Sequence, residues 1–356
     1  MKKLLSILIL MSIIITSCNN NKNNTDKTTE KKEDIKLSGA GATFPMPFYN
    51  MAFKKYLEKT GAMTTYGGIG SGGGIRSLTD KIVDFGATDA YLSDEELVEM
   101  PSEVLHIPTC LGAVVIAYNL PEVDKLNLSP ALLSDIFMGK ITKWNDKKIK
   151  AENAEAKLPD LAITVVYRSD GSGTTYIFSD YMSKISENWD VKLGKGKSLN
   201  WVTGIGAKGN PGVSGTIKQT QGAIGYIGSE YAIAQKIPMA SLKNLKGEYI
   251  YPTLEAISLA AKTEIPTDTR AMITNSDAPG AYPISGFTWL IIYKEQNYNN
   301  RTEAQAKATV ELIRWLISSE AQDLTVKINY SPIPAEVAIN ANKILDSVTF
   351  NGKTLK

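Results

Sequence analysis

With 356 residues the chain exceeds one typical domain and suggests two, and its apolar share of 43% with 21% charged residues lets it bury a sizeable core. A formal net charge of +2 gives no footing for nucleic-acid binding, so any attraction for an anion has to be local. Two cysteines and one histidine, with no CxxC or His/Cys ligand spacing, argue against a zinc site and leave His106 as the single candidate for a Ser-His or Cys-His pair.

The chain opens with Lys2-Lys3, runs apolar through residues 4–15 and reaches Ser17-Cys18. That run is short for a bilayer span and carries the basic flank of a secretory leader, so residues 1–18 read as a signal peptide. Its end resembles a bacterial lipobox, which implies cleavage before Cys18 and lipidation of it. Residues 19–35 are rich in Asn, Lys, Thr and acidic side chains and cannot pack a core, which makes them a flexible tether. The expected product is an exported cell-envelope lipoprotein, in the periplasm or on the outer face of the cell membrane. With Cys18 acylated, Cys110 has no disulfide partner and reads as a small buried residue at a strand end.

Residues 35–38 open a strand, residues 39–45 form a loop, and residues 47–60 read as a helix with Pro47 near its start and Gly61 just past its end. Thr43 presents a hydroxyl at that helix start. A short strand at 63–66 precedes the glycine run 67–74 and a helix to about Lys81. Gly68, Gly70 and Gly73 satisfy G-x-G-x-x-G, and Asp89 lies about where a dinucleotide fold places its ribose acid. The run is longer than that fingerprint needs, and Gly204, Gly206 and Gly209 match it again without a convincing strand before them. A loop whose N–H groups and Ser71 hydroxyl face an anion is the favoured reading, with a dinucleotide site as the alternative. Residues 83–88 form a strand that ends at Asp89, the end at which open α/β sheets bind ligands. Ser93 with Glu96 is a capping box for a helix to about Met100.

Extended segments at 105–107 and 113–118, a helix at 130–138 and a strand at 163–167 lead to Arg168. The loop 168–175 combines glycines, the hydroxyls of Ser172 and Thr174, and a guanidinium fork at the start of a helix expected over 176–186. Those are the parts of an anion cradle, and equally those of a Ser/Gly-rich N-cap beside a surface arginine. A polar helix near 213–219, strands at 223–227 and 289–293, and helices at 303–317 and 320–328 complete the chain. Strand and helix alternate throughout, which argues α/β with largely parallel sheets.

Read together, residues 39–45 (GAGATFP), 68–74 (GIGSGGG) with 83–90 (VDFGATDA), and 168–174 (RSDGSGT) resemble the phosphate-specific substrate-binding proteins of bacterial ABC transporters. Weaker similarity covers most of the chain after the tether, with Thr88 where a serine is common and Met46 where a small residue is. The resemblance implies a two-lobed periplasmic-binding-protein fold of type II, two mixed α/β domains joined by a two-segment hinge. Its crossings would fall near Leu111 and Pro283, giving residues 36–111 with 284–356 as lobe 1 and 112–283 as lobe 2. It also implies phosphate held by Thr43, the Phe44 N–H, Ser71 and Asp89 from one lobe and by Arg168, Ser172, the Gly173 N–H and Thr174 from the other. Asp170 would pair with Arg168 and hold it in place.

By the same resemblance the protein is a monomer that needs no cofactor or metal and delivers phosphate to a membrane permease. Asp89, a carboxylate among donors, would accept a hydrogen bond from the proton that phosphate carries near neutral pH and sulfate lacks. Two rival readings remain, a phosphate-ester hydrolase using Ser172 and a binder of another tetrahedral oxyanion. Gly171-Ser172-Gly173 lacks the G-x-S-x-G elbow, which weakens the first, and Asp89 weakens the second.

Overall fold

The computed structural model describes residues 35–355, so the leader, Cys18 and the tether up to residue 34 lie outside the described residues. From there β1 (Lys36–Gly41) leads to α1 (Met46–Thr60), β2 (Met63–Gly68) to α2 (Ser71–Thr79), and β3 (Phe85–Thr88) to α3 (Asp94–Glu99). α1 carries Pro47 in its first turn and ends on Gly61, and α3 has the full capping box between Ser93 and Glu96. α2 starts at Ser71, inside the glycine run where the sequence reading placed only loop. Glycine costs a helix about 1 kcal/mol per residue relative to alanine, but here it permits a close approach. A Cβ on Gly74 would lie 2.5 Å from Gly41 Cα and 2.7 Å from the Ala40 carbonyl oxygen. α2 therefore packs directly on the β1 backbone.

The segments expected at 105–107 and 113–118 form one strand, β4 (Val104–Tyr118), which runs straight through Pro108. Next come β5 (Asn127–Leu128), α4 (Pro130–Phe137), α5 (Lys147–Glu152), β6 (Thr164–Arg168), α6 (Gly173–Ile185) and α7 (Glu187–Lys192). After them lie β7 (Ile205–Ala207), α8 (Gly209–Gln219), β8 (Ala223–Gly228), α9 (Ser229–Gln235), β9 (Ser241–Lys243), β10 (Tyr249–Ile250) and α10 (Leu254–Ala260). β11 (Ser285–Tyr293), α11 (Glu303–Leu316), α12 (Ser319–Val326), α13 (Ala335–Leu345), β12 (Thr349–Phe350) and β13 (Lys353–Thr354) finish the chain. The sequence reading missed α13.

The main sheet has the order β2-β1-β3-β11-β4-β8-β6-β7. It is mixed, which corrects the expectation of largely parallel pairing. β1 is parallel to β2 and β3, and β6 is parallel to β7 and β8, but β11 runs antiparallel to both β3 and β4. β4 serves both halves of the sheet. It pairs with β11 over residues 104–113 and with β8, again antiparallel, over residues 114–118. Pro108 has no N–H for the ladder, and the β11 register shifts opposite it, between Thr288 and Trp289. Cys110 is fully buried in the middle of β4, opposite Thr288, not at a strand end.

Two aromatic clusters stiffen the halves. Phe178 of α6 stacks on Tyr226 of β8 at 4.4 Å and 4°, and Trp201 stacks on both Tyr226 and Tyr167. On the other side Tyr49, Phe53 and Phe85 pack together under β1. Aromatic pairs of this kind add about 0.5–1.5 kcal/mol each beyond the apolar area they bury.

Candidate functional site

Three helices start at the C-terminal ends of strands and face one another: α2 after β2, α6 after β6 and α8 after β7. The first N–H groups of each helix have no intrahelical acceptor and carry its positive end. Several are used to join the helices. Gly72 N–H donates to the Gly171 carbonyl at 3.0 Å, Gly173 N–H to Ser71 Oγ at 3.0 Å, Gly209 N–H to Asp170 Oδ1 at 2.9 Å, and Asn210 N–H to Thr43 Oγ1 at 3.0 Å. The N–H groups of Phe44, Ser71 and Thr174 are committed to no acceptor among the described residues. The approach is tight enough to need Gly173, since a Cβ there would lie 2.5 Å from Ser71 Oγ and 2.6 Å from Asp89 Cβ.

Arg168, at the end of β6, is 3% exposed and held on three sides. Its Nε and Nη2 donate to Asp170 Oδ1 and Oδ2 at 2.7 and 2.6 Å, the pairing that the family resemblance implies. Its Nη1 donates to Thr174 Oγ1 at 3.3 Å, and its backbone N–H donates to Tyr226 Oη at 3.1 Å, the phenol of the aromatic stack. Burial alone would raise the Asp170 carboxyl, but the hydrogen bonds and charge of Arg168 outweigh it and hold the group below its usual range. The Asp170 carboxyl thus stays ionised.

Asp89 is fully buried just past β3. Its Oδ1 accepts from the Thr288 hydroxyl at 2.7 Å and its Oδ2 from the Thr174 hydroxyl at 3.4 Å. Burial pushes its carboxyl up to about 7, against the pull of Thr288, the Arg168 charge and Thr174. Thr43, Ser71, Asp89, Arg168, Gly173 and Thr174 are thereby brought into one hydrogen-bonded cluster. Phe44 is buried beside them, its carbonyl accepting from Tyr330 Oη and its ring edge-on to that tyrosine. Ser172 caps α6, accepting from Thr175 N–H at 3.0 Å, so its oxygen does local structural work in addition to any contact with a ligand.

Sequence reasoning missed Asn210 and Thr288. Asn210 Nδ2 donates to Thr43 Oγ1 at 3.0 Å and to Thr174 Oγ1 at 3.1 Å. The signal was Gly209-Asn210 after the short β7, a string read only as a repeated glycine pattern. Thr288 is a hydroxyl residue set between Phe287 and Trp289 in a fully buried strand, a signal of a buried polar task. His106 lies outside the cluster. Its Nε2 accepts from Leu92 N–H at 3.1 Å, and burial lowers its basicity to about 3, so it is neutral and does not reach Ser71 or Ser172. The described residues contain no group of side chains that could hold a metal ion. No helix among them is long and apolar enough to cross a membrane.

The strand order 2-1-3-11-4 places the clustered loops at strand ends, and residues 23–320 match the model of the PBP superfamily domain. A solved phosphate-binding protein from Stenotrophomonas maltophilia shares the fold with a TM-score of 0.67 at 18% identity, covering 88% of this chain and 93% of that one. The fold is the two-lobed type II periplasmic-binding-protein fold, with mixed α/β lobes. Among curated relatives, the phosphate-binding protein PstS of Xylella fastidiosa is 37% identical over 312 residues, covering 86% of this chain and 84% of its own. The PstS of Haemophilus influenzae is 38% identical over 306 residues, covering 85% and 90%. This chain belongs to the PstS family of phosphate-binding proteins.

Proposed function

We propose that this protein closes two lobes around inorganic phosphate and hands it to the membrane permease of a phosphate ABC transporter. The observation that carries the reading is Asp89, a buried acceptor set among N–H, hydroxyl and guanidinium donors. An anion with no proton would face that carboxylate with nothing to donate, whereas phosphate supplies a proton for it. The names of the relatives, all phosphate-binding proteins, support the same anion. Thr43, the Phe44 N–H, Ser71 and Asp89 hold it from lobe 1, and Arg168, Ser172, the Gly173 N–H and Thr174 from lobe 2. The change of partner along β4 at residues 113/114 and the start of β11 at Ser285 support lobes of 36–111 with 284–356 and of 112–283.

Because donors come from both sides, the ligand binds the closed form better than the open one, and that difference in affinity drives closure. Its task is binding: His106 is engaged by Leu92 and serves neither Ser71 nor Ser172 as a base, which argues against the hydrolase reading. It acts as an exported monomer anchored through a lipid on Cys18.

The test is isothermal titration of residues 36–356, stripped of endogenous ligand, with phosphate and then sulfate. Tight one-to-one binding of phosphate without sulfate heat is expected. A folded sample that ignores phosphate would sink the reading, and phosphate-ester turnover abolished by Ser172→Ala would replace it with hydrolysis.

A further inference from the structure

Asn210, fully buried as the second residue of α8, makes four hydrogen bonds, and their directions are not interchangeable. Its Oδ1 accepts from Gly228 N–H at 3.0 Å. A backbone N–H can only donate, so the carbonyl oxygen has to face Gly228 and the amide nitrogen has to face the site. That nitrogen carries two protons, one for Thr43 Oγ1 at 3.0 Å and one for Thr174 Oγ1 at 3.1 Å. The Asn210 backbone N–H adds a further donor to Thr43 Oγ1 at 3.0 Å.

A hydroxyl has two acceptor sites and one proton. Thr43 Oγ1 receives both Asn210 donors, so both its lone pairs are filled. Thr174 Oγ1 receives Asn210 Nδ2 and Arg168 Nη1, with the same result. Neither hydroxyl can accept anything further, and each can only donate: Thr174 directs its one proton to Asp89 Oδ2 at 3.4 Å and has to turn it to an arriving anion, whereas Thr43 Oγ1 donates to no acceptor among the described residues. We infer that Asn210 is a positioning residue for the anion: it fixes the Thr43 and Thr174 hydroxyls as donors and so sets the polarity of the site. This inference rests on the phosphate reading and deepens it. It explains how flexible rotors on two sides of the cleft present a one-way surface in which Asp89 is the acceptor that remains. A threonine free to rotate could accept the phosphate proton in place of Asp89 and blur the distinction that the carboxylate makes.

The experiment measures phosphate affinity by titration calorimetry in the parent, in Asn210→Ala and Asn210→Asp, and in each combined with Thr43→Val and Thr174→Val. A hydrogen bond to a charged group is worth about 1.5–3 kcal/mol, so loosening these hydroxyls should weaken phosphate roughly 10- to 100-fold in Asn210→Ala. Asn210→Asp turns the facing donor into a charged acceptor that captures both hydroxyl protons, and should cost about tenfold more. In the double-valine background, where no hydroxyl is left to orient, Asn210→Ala should change affinity no more than about twofold. A purely architectural role in seating α8 would give the same loss in both backgrounds and overturns the inference, as does full affinity in the single variants. If Asn210→Ala fails to fold, the nearly isosteric Asn210→Asp carries the comparison. A parent that binds no phosphate overturns the binding reading, and this one with it, whereas a binding parent with indifferent Asn210 variants overturns this one alone.

Discussion

Asp89 is the residue whose chemistry decides what the site selects. Its carboxyl, raised to about 7 by burial, changes character within the physiological range. Above that pH it is ionised and can only accept, so a ligand has to bring a proton. Below it the carboxyl carries its own proton and becomes a donor, and a fully deprotonated anion no longer meets an unpaired negative charge. Discrimination against sulfate should therefore be strongest above about pH 7 and weaken as pH falls through it. Competition titrations across that range measure this directly. In Asp89→Asn, which cannot ionise, sulfate should bind and the ratio of the two affinities should lose its dependence on this carboxyl. The full effect has a ceiling of roughly 10⁴- to 10⁵-fold, the range seen when a mismatched ligand leaves a buried polar group unpaired. A flat sulfate profile in the parent would show that the proton on the ligand is not what Asp89 reads.

Among elements, the contacts of two glycines separate folding from function. Gly74 lets α2 lie against the β1 backbone within one half of the sheet, and a methyl there meets main-chain atoms that cannot give way. Gly74→Ala should destabilise the ligand-free protein by about 1–3 kcal/mol, read by chemical denaturation. Gly173 instead lies where α6 approaches Ser71 and Asp89, across the proposed cleft. Gly173→Ala should leave ligand-free stability within about 0.5 kcal/mol of the parent, because the position is a surface one whenever the lobes part. It should also abolish the rise in melting temperature that phosphate gives the parent. The reverse pattern would put Gly173 inside a permanently packed core.

These elements also mark the limits of the sequence. Asp89 at a strand end and the capping box of α3 were legible, since each depends on spacing along a few residues, whereas the pairing of Arg168 with Asp170 came from the family resemblance. The starts of α2 and α6 were not, because glycine disfavours helix locally and only tertiary packing shows why it is present. Asn210 and Thr288 were missed for a related reason: their partners lie far away in sequence, and an isolated Asn or Thr looks the same whether it is solvated or buried. Strand direction in the centre of the sheet was invisible because a buried apolar run has no polarity along its length.

On the scale of the whole molecule, the buried carboxyls make stability depend on pH. Glu230, buried in α9, is pushed up to about 8, and Asp89 to about 7, both from ordinary values near 4. Between those limits the folded protein binds more protons than the unfolded chain. Stability is then fully present below the unfolded pKa values and is lost as pH rises toward 8, at up to roughly 1.4 kcal/mol per pH unit for each carboxyl. Denaturation of the ligand-free protein between pH 6.5 and 8.5, above the range in which His106, held neutral by burial, acts in the opposite sense, should show this decline, and Asp89→Asn with Glu230→Gln should flatten it. A curve that rises over the same interval would mean that both carboxyls are ionised at little cost in the folded state.

The placement of β11 has a consequence for how the chain comes to be folded. β11 fills the gap between β3 and β4, yet it follows them only after the whole of residues 119–284. In a chain growing from its N-terminus, β3 and the first part of β4 therefore wait with unpaired edges, the kind that recruit other chains. The strands of the opposite half, the end of β4 with β6, β7 and β8, are all present by Gly228. The half bearing Thr43, Ser71 and Asp89 is thus synthesised first and completed last. Chains shortened to end just before Ser285, where β11 begins, should retain a folded second half attached to an aggregation-prone first one.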